Sequence, residues 1–195
     1  MKGIIFDLDG TLLDSFSLRV DAWHSAFSKN NIKVSPEEIE PLIGLPGPVL
    51  ASYFCDIPHK IEQDEEDIFR ERIHTNAFFE DVWPTLKKLD DSNVQWMIVT
   101  SSRRSFVSLL PVKQEKIITL DDVIHGKPST EPYELALKKM KTVKESTIVV
   151  GDSINDMIPA RSMGMKAVLV THGMERDIEV YDVKIRDISE VLHFI

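Results

Sequence analysis

Residues 1–15 read MKGIIFDLDGTLLDS, and this stretch decides the fold. Its apolar run, Ile-Ile-Phe at positions 4–6, is typical of a strand buried on both faces of a parallel sheet. Asp7 and Asp9 follow where this strand ends, and Gly10 then marks a turn. Open α/β sheets bind their ligands at the carboxyl ends of strands. Two carboxylates there repel each other unless a cation or a proton separates their roles, so we predict a metal-assisted site with one ionised and one protonated carboxyl.

The composition limits the class of protein. The chain has 195 residues, of which 43% are hydrophobic, and this is enough to bury a full core. A formal net charge of −9 argues against general affinity for nucleic acids, and no apolar run reaches the length of a membrane span. The single cysteine, Cys55, fits a reducing compartment. We therefore expect a cytoplasmic monomer or weak dimer without nucleic-acid or membrane partners.

Apolar runs that predict buried strands recur along the chain, and helical patterns separate most of them. This alternation predicts an α/β fold, a doubly wound parallel sheet with a Rossmann-like core. The segment Ser105–Lys116 is short and contains Pro111, so we expect an abbreviated crossover there. The predicted strands are Gly3–Asp7, Val94–Thr100, Lys116–Thr119, Thr147–Gly151 and Ala167–Thr171. The predicted helices are Glu131–Met140, Asp156–Met163 with Pro159 in its first turn, and a closing helix over Asp187–Phe194.

The segment between Asp14 and Phe79 contains helical patterns and no convincing strand. The first helical pattern covers Phe16–Lys29, and a second begins at a capping box over residues 35–38. A third covers residues 64–76, and we interpret its acidic start as the solvated first turn of a helix. A connection of about 65 residues is far longer than an ordinary crossover, so we predict an inserted all-helical cap beside the carboxylate pair. The predicted domains are a catalytic core, residues 1–14 and 80–195, and a cap, residues 15–79.

Three further motifs match the first in their chemistry. Residues 100–102, Thr-Ser-Ser, close a predicted strand and offer hydroxyl and N–H groups that bind anions. Lys127 lies in a loop framed by glycine and proline, just before a predicted helix. Asp152 and Asp156 follow another predicted strand. Asp152 with Ser153 could form only a helix N-cap, and Asp156 could cap a helix as well as attend a metal. Each motif alone is weak, but their conjunction is a strong signal of a functional site.

With these motifs, the sequence resembles the haloacid dehalogenase superfamily of phosphotransfer enzymes. It resembles most closely the branch with a helical cap after the first strand, which includes phosphoglycolate phosphatases and β-phosphoglucomutase. The resemblance covers essentially the whole chain. It implies that Asp7 is the nucleophile and Asp9 the general acid and base, and that Thr100 and Lys127 grip the transferring phosphoryl group.

The resemblance also implies a Mg²⁺ site and contacts to the substrate. The Asp7 carboxylate, the Asp9 carbonyl and Asp152 would bind the metal, and Asp156 would contribute directly or through water. Arg19 is at a cap position that often faces the substrate in this branch, although a solvated helix arginine is an equal alternative. The expected substrate- and phosphate-binding residues are Gly10, Thr11, Ser101, Arg19 and Gly47.

The leading hypothesis is a phosphoric monoester hydrolase that acts on a small phosphorylated metabolite, phosphoglycolate-like or a sugar phosphate, through an aspartyl phosphate. A phosphomutase is the alternative, disfavoured because Gly47 stands where β-phosphoglucomutase has an arginine for a second phosphate. A non-catalytic phospho-ligand binding or receiver-like protein is a further alternative. The order of the motifs and the inserted cap argue against the receiver. Substrate contacts by Arg103 and Arg104 remain open.

Overall fold

The computed structural model describes residues 2–43, 47–73, 77–175 and 177–194. The chain divides into two compact units, Met1–Leu13 with Phe78–Ile195, and Asp14–Ala77. The first is the α/β unit and the second is a helical unit, for which the sequence analysis placed the bounds at 15–79. Among the described residues, no helix has the length and apolarity that crossing a membrane requires.

The α/β unit is built on a six-stranded sheet in which every neighbouring pair is parallel. Its strand order is β3-β2-β1-β4-β5-β6, so the direction of winding reverses between β1 and β4. Ile5 in β1 lies opposite Met97 in β2 and Val149 in β4. This confirms the predicted doubly wound parallel sheet. The strands are β1 Gly3–Phe6, β2 Gln95–Val99, β3 Ile117–Ile118, β4 Thr147–Gly151, β5 Lys166–Val170 and β6 Val183–Ile185.

Helices pack on the sheet, and helices joined by turns form the described part of the second unit. Helices α7 and α8 pack on the sheet through a core that includes Tyr133, Met140 and Met157. The abbreviated crossover predicted after β2 is confirmed, since only the single turn of α6 and a short 3₁₀ turn precede β3. The α-helices are α1 Ser15–Lys29, α2 Pro36–Ile39, α3 Gly47–Ser52, α4 Pro58–Arg72, α5 Val82–Asp91, α6 Arg104–Val107, α7 Glu131–Met140 and α8 Ile154–Ser162.

The structure differs from the sequence analysis at two places in the α/β unit. Helix α8 begins at Ile154 rather than at position 156, because Ser153 takes the extended N-cap conformation, and Pro159 therefore lies inside the helix. Strand β6 was not predicted, since its three residues include the exposed Lys184 and give no apolar run. The predicted closing helix is confirmed and is a 3₁₀ helix, Ile188–Phe194.

The helical unit has its own core, where α1 packs on α4 and Trp23 and Phe27 pack on Ile61. The predicted capping box is present, and the Ser35 N–H donates to the Glu38 carboxylate at 2.8 Å. The acidic run 64–67 does not form a solvated first turn, as the sequence analysis expected. Helix α4 begins six residues earlier at Pro58, so this run lies in mid-helix and carries a buried glutamate.

The two ends of the helical unit meet. The Asp14 N–H donates to the Ala77 carbonyl at 2.7 Å. In the α/β unit, Leu13 and Phe78 form an antiparallel bridge, and the Phe79 N–H donates to the Leu12 carbonyl at 3.1 Å. The chain therefore leaves and re-enters the α/β unit at neighbouring residues.

Candidate active site

Three carboxylates meet at the carboxyl ends of β1 and β4, where the sheet reverses its direction of winding. The Asp7 N–H donates to the Val150 carbonyl at 2.8 Å, so the ladder between the two strands continues to the first acid. Asp152 follows β4 directly, and Asp156 is in the first turn of α8. Oxygen atoms of Asp7, Asp152 and Asp156 all lie within 4.8 Å of one another. The topology thus brings together motifs that are about 145 positions apart in sequence.

The turn after β1 is fixed from several sides. The N–H groups of residues 11–13 all donate to the Leu8 carbonyl. Gly10 has a φ of +76°, a backbone angle that residues with a side chain rarely adopt. The buried Thr11 hydroxyl donates to Asp152 Oδ1 at 3.4 Å. The Thr11 carbonyl accepts a hydrogen bond from His172 Nε2 at 2.9 Å. The predicted phosphate-binding residues 10 and 11 therefore lie beside the acid cluster.

Lys127 reaches the acid cluster from the loop before α7, and its side chain is only 4% exposed. Its amino group lies 2.5 Å from Asp7 Oδ1 and 2.6 Å from Asp156 Oδ1. Burial raises the pKa of Asp7, as does the charge of Asp156, while Lys127 opposes both. Burial works to lower the pKa of Lys127, but the carboxylates of Asp156 and Asp7 outweigh it and hold this pKa well above its usual value. The lysine is therefore a permanent positive charge beside the first acid.

Asp156 accepts hydrogen bonds from three side chains, one of which is Lys127. Its Oδ1 also accepts a hydrogen bond from the Tyr133 hydroxyl at 3.0 Å, and its Oδ2 accepts one from Ser153 Oγ at 2.6 Å. Burial raises the pKa of Tyr133, so the phenol stays a neutral donor. Three donors therefore hold this carboxylate, which in turn holds Lys127. Its predicted contact with a metal, direct or through water, stays a prediction.

The loop after β2 carries the hydroxyl groups of the site. Ser102 Oγ donates to Asp9 Oδ2 at 2.8 Å, and the Ser102 N–H donates to Thr100 Oγ1 at 2.9 Å. Thr100 is 4% exposed, whereas Ser101 is an exposed residue. The structure thus links the predicted general acid to this loop through a serine to which the sequence analysis gave no specific role.

Arg103 and Arg104 bind acids of the segment after β3. The Arg103 guanidinium is 3.0 Å from Asp121 Oδ1, and the Arg104 N–H donates to Asp121 Oδ2 at 2.7 Å. The Arg104 side chain pairs with Asp122. These contacts tie the loop after β2 to the segment after β3.

The acid cluster fits a divalent cation. Three carboxylates face one ammonium group, so negative charge is in excess at a place where the acids are nearly or fully buried. Oxygen atoms of this kind are the ligands that Mg²⁺ prefers, with water in the remaining positions. Asp7 and Asp152 are the residues that would hold it.

The two cap residues of the predicted site lie in the helical unit. The Arg19 guanidinium is 2.9 Å from Oε1 of Glu65, which is 2% exposed, and it lies 3.8 Å from the centre of the Phe69 ring. Gly47 begins α3, where a Cβ atom would press against Glu62. In sequence, residues 44–48 resemble the cap specificity loop of the family, and residues 44–46 of this segment lie outside the described residues. Substrate contacts by Arg19 and Gly47 stay predictions.

The sequence analysis missed four residues that support the site. Ser102 was quoted in a motif without a specific role, and Tyr133 entered only as a residue within the predicted helix Glu131–Met140. A buried tyrosine requires a partner for its hydroxyl, which was the available signal. Ser153 was considered only as part of a helix cap. Nothing in the pattern around His172 pointed to the turn at Thr11.

The doubly wound sheet, the acids at its strand ends and the buried lysine are the features on which the resemblance to a family of hydrolases rests. Residues 4–170 match the sequence model of the haloacid dehalogenase-like hydrolases, and the chain belongs to this family. The resemblance noted in the sequence is therefore confirmed.

Curated relatives match most of the chain. Pyrophosphatase PpaX of Oceanobacillus iheyensis is 32% identical over 190 residues, which cover 90% of this chain and 86% of that protein. Pyrophosphatase PpaX of Bacillus velezensis is 28% identical, covering 99% of this chain and 95% of that protein.

Solved structures share the fold. A hydrolase from Pseudomonas syringae is 26% identical with a TM-score of 0.73, over 99% of this chain and 97% of that chain. A predicted phosphoglycolate phosphatase from Haemophilus somnus has a TM-score of 0.81 at 22% identity, again over 99% and 97%. At this identity, the second likeness describes the fold alone.

Proposed function

We propose that this protein is a Mg²⁺-dependent phosphatase that hydrolyses a small phosphomonoester through an aspartyl phosphate on Asp7. The observation that carries the proposal is the position of the Asp7 carboxylate, 2.5 Å from the buried Lys127 amino group. Asp7 also belongs to a cluster of three carboxylates that a divalent cation would neutralise. A carboxylate nucleophile beside fixed positive charge meets the main requirement of phosphoryl transfer, which is to offset charge on the phosphoryl oxygens.

In the first half of the proposed reaction, an Asp7 oxygen attacks phosphorus. The bond between phosphorus and the leaving oxygen breaks, its electron pair stays on that oxygen, and Asp9 supplies the proton. Lys127 offsets the negative charge of the phosphoryl group during transfer. When bound at Asp7 and Asp152, Mg²⁺ would supply further positive charge to the phosphoryl oxygens and keep the nucleophile ionised.

In the second half, water attacks the phosphorus of the aspartyl phosphate. Asp9, now a carboxylate, takes a proton from the water, while the bond between phosphorus and the Asp7 oxygen breaks and its electron pair returns to Asp7. Inorganic phosphate leaves, and both acids are back in their starting states. Asp156 takes no proton in this cycle, because its carboxylate accepts the hydrogen bond that positions the Lys127 amino group.

Inorganic pyrophosphate is the second candidate substrate. The relatives at 32% and 28% identity are pyrophosphatases and match most of this chain. The same two steps hydrolyse pyrophosphate, with phosphate as the leaving group in place of an alcohol. A phosphomutase remains disfavoured, since Gly47 offers no side chain to bind a second phosphate.

The setting proposed for this reaction is the cytoplasm, with the protein as a monomer or weak dimer and a small phosphorylated metabolite as substrate. A single cysteine and an excess of acidic over basic residues support this setting. Size-exclusion chromatography with light scattering at micromolar concentration tests the oligomeric state, and a stable higher oligomer would contradict it.

The decisive experiment measures phosphate release from small phosphomonoesters and from pyrophosphate, with Mg²⁺ or with EDTA. We expect Mg²⁺-dependent turnover of at least one compound, and its loss in Asp7→Asn. Asp91→Asn is the matched control, because Asp91 is an exposed aspartate at the end of α5. The ranking of pyrophosphate against the esters decides between the two substrates. Folded, Mg²⁺-loaded protein that releases no phosphate from any compound would refute the proposal.

A further inference from the structure

Asp9 has a side-chain partner that the proposed reaction has not used. Ser102 Oγ donates to Asp9 Oδ2 at 2.8 Å, although the two residues are 93 positions apart. The contact joins the turn after β1 to the loop after β2. The proposed mechanism needs Asp9 to deliver a proton to one atom and later to take one back, so its orientation matters to both half-reactions.

The serine itself is fixed by its backbone. Its N–H donates to Thr100 Oγ1 at 2.9 Å, and its carbonyl accepts a hydrogen bond from the Leu120 N–H at 3.2 Å. The residues that follow it are tied to Asp121, through the Arg103 side chain and the Arg104 N–H. A hydroxyl group on backbone held at both ends has little freedom, so it can fix the direction of the carboxyl that it contacts.

We propose that Ser102 is a positioning residue for the general acid and base, Asp9. Because Oδ2 accepts the serine hydrogen bond, the transferred proton is carried on Oδ1, the other oxygen of the same carboxyl. This inference rests on the proposed function, in which Asp9 protonates the leaving oxygen.

The test uses leaving groups of graded basicity. Phenyl phosphate releases a phenol whose pKa is about 10, like that of tyrosine, and this oxygen needs a proton as it leaves. In 2,4-dinitrophenyl phosphate the leaving phenolate is stable without a proton. Both esters have the same charge on the phosphoryl group and a similar shape. A loss of proton delivery therefore lowers kcat/KM for phenyl phosphate and leaves kcat/KM for 2,4-dinitrophenyl phosphate nearly unchanged. The value of kcat/KM reports the first half-reaction.

We expect Ser102→Ala to lower kcat/KM for phenyl phosphate about tenfold, part of the 10²–10⁴ that general acid catalysis typically contributes. The value for the dinitrophenyl ester should change less than about twofold, and Ser102→Thr, which keeps a hydroxyl, should restore most of the loss. Ser105→Ala, at an exposed serine in α6, is the matched control. Circular dichroism checks that each variant is folded.

The outcomes separate this inference from the proposed function. Wild-type protein that hydrolyses neither aryl ester nor any other compound, or whose activity survives Asp7→Asn, overturns both. If Asp7→Asn abolishes an intact Mg²⁺-dependent activity, but Ser102→Ala slows both esters equally or neither, only the inference about Ser102 is overturned. A failure of Ser102→Thr to restore any of the selective loss also overturns it, because the hydroxyl would then not be the responsible group.

Discussion

Lys127→Met tests the charge balance of the site in protein stripped of divalent metal. The lysine side chain is 4% exposed and contacts Asp7 at 2.5 Å and Asp156 at 2.6 Å, so its removal leaves buried carboxylates without a counter-charge. Breaking a buried ion pair in this way typically costs about 3–5 kcal/mol of unfolding free energy. For a chain of this size, that corresponds to a melting temperature lowered by about 6–20 °C.

The loss should depend on pH in a definite direction. Burial and Asp156 already raise the pKa of Asp7, and removing Lys127 takes away the influence that lowers it. The folded variant then holds a proton that the unfolded chain releases, so its stability falls as pH rises from the ordinary aspartate value, about 4, through the raised pKa. The destabilisation of Lys127→Met is therefore larger at pH 8 than at pH 5.

The assay is urea unfolding followed by circular dichroism in EDTA, at both pH values. A double-mutant cycle with Asp156→Asn isolates the pair, and we expect a coupling of about 2 kcal/mol or more. Lys138→Met, at an exposed lysine of α7, is the control and should stay within about 0.5 kcal/mol of wild type. Additivity of Lys127→Met and Asp156→Asn within about 0.5 kcal/mol, or equal losses at the two pH values, would refute the reasoning.

Three further outcomes are expected. Gly10 has a φ of +76°, and a Cβ atom there would press against Asp152. Gly10→Ala should therefore lower the unfolding free energy by about 1–2 kcal/mol and kcat/KM about a hundredfold. An unchanged melting temperature with unchanged kinetics would contradict this. Arg19→Met leaves Glu65 buried and unpaired, and burial raises the pKa of Glu65, so urea unfolding should show a loss of about 2 kcal/mol that is greater at pH 8 than at pH 5. Mg²⁺ at about a hundred times its Kd should raise the unfolding free energy of wild type by about 2.7 kcal/mol, measured by thermal unfolding, and that of Asp152→Asn far less. An equal increase for both proteins would contradict the assignment of Asp152 as a Mg²⁺ ligand.

The parts of the site that the sequence predicted are those where chemistry and strand ends coincide. Asp7 and Asp152 each follow an apolar strand directly, and the alternation of strands and helices is enough to place both at one edge of the sheet. The bond between Ser102 and Asp9 had no such signal, because a contact across 93 positions depends on how two loops are held. Patterns along the chain thus locate strand ends, while contacts between loops require the packed structure.

Helix starts were harder to predict than helix interiors. The polar run 64–67 suggested a solvated start, but Pro58 begins α4 and the packing of α1 on α4 buries Glu65 against Arg19. Tertiary packing here overrides what an acidic run indicates by itself. At α8, Ser153 caps the helix ahead of the expected start, because its extended backbone already ends the loop after β4.

The meeting of Leu13 with Phe78 makes the helical unit a removable module. Those two residues already pair as an antiparallel bridge, so a hairpin turn of two residues between them would connect the two segments of the α/β unit without the 64 residues from Asp14 to Ala77. None of the acids, the lysine or the hydroxyl groups of the acid cluster would be lost with it. The architecture therefore separates the machinery of phosphate chemistry from an exchangeable insert, and evolution or design can alter one while the other stays intact.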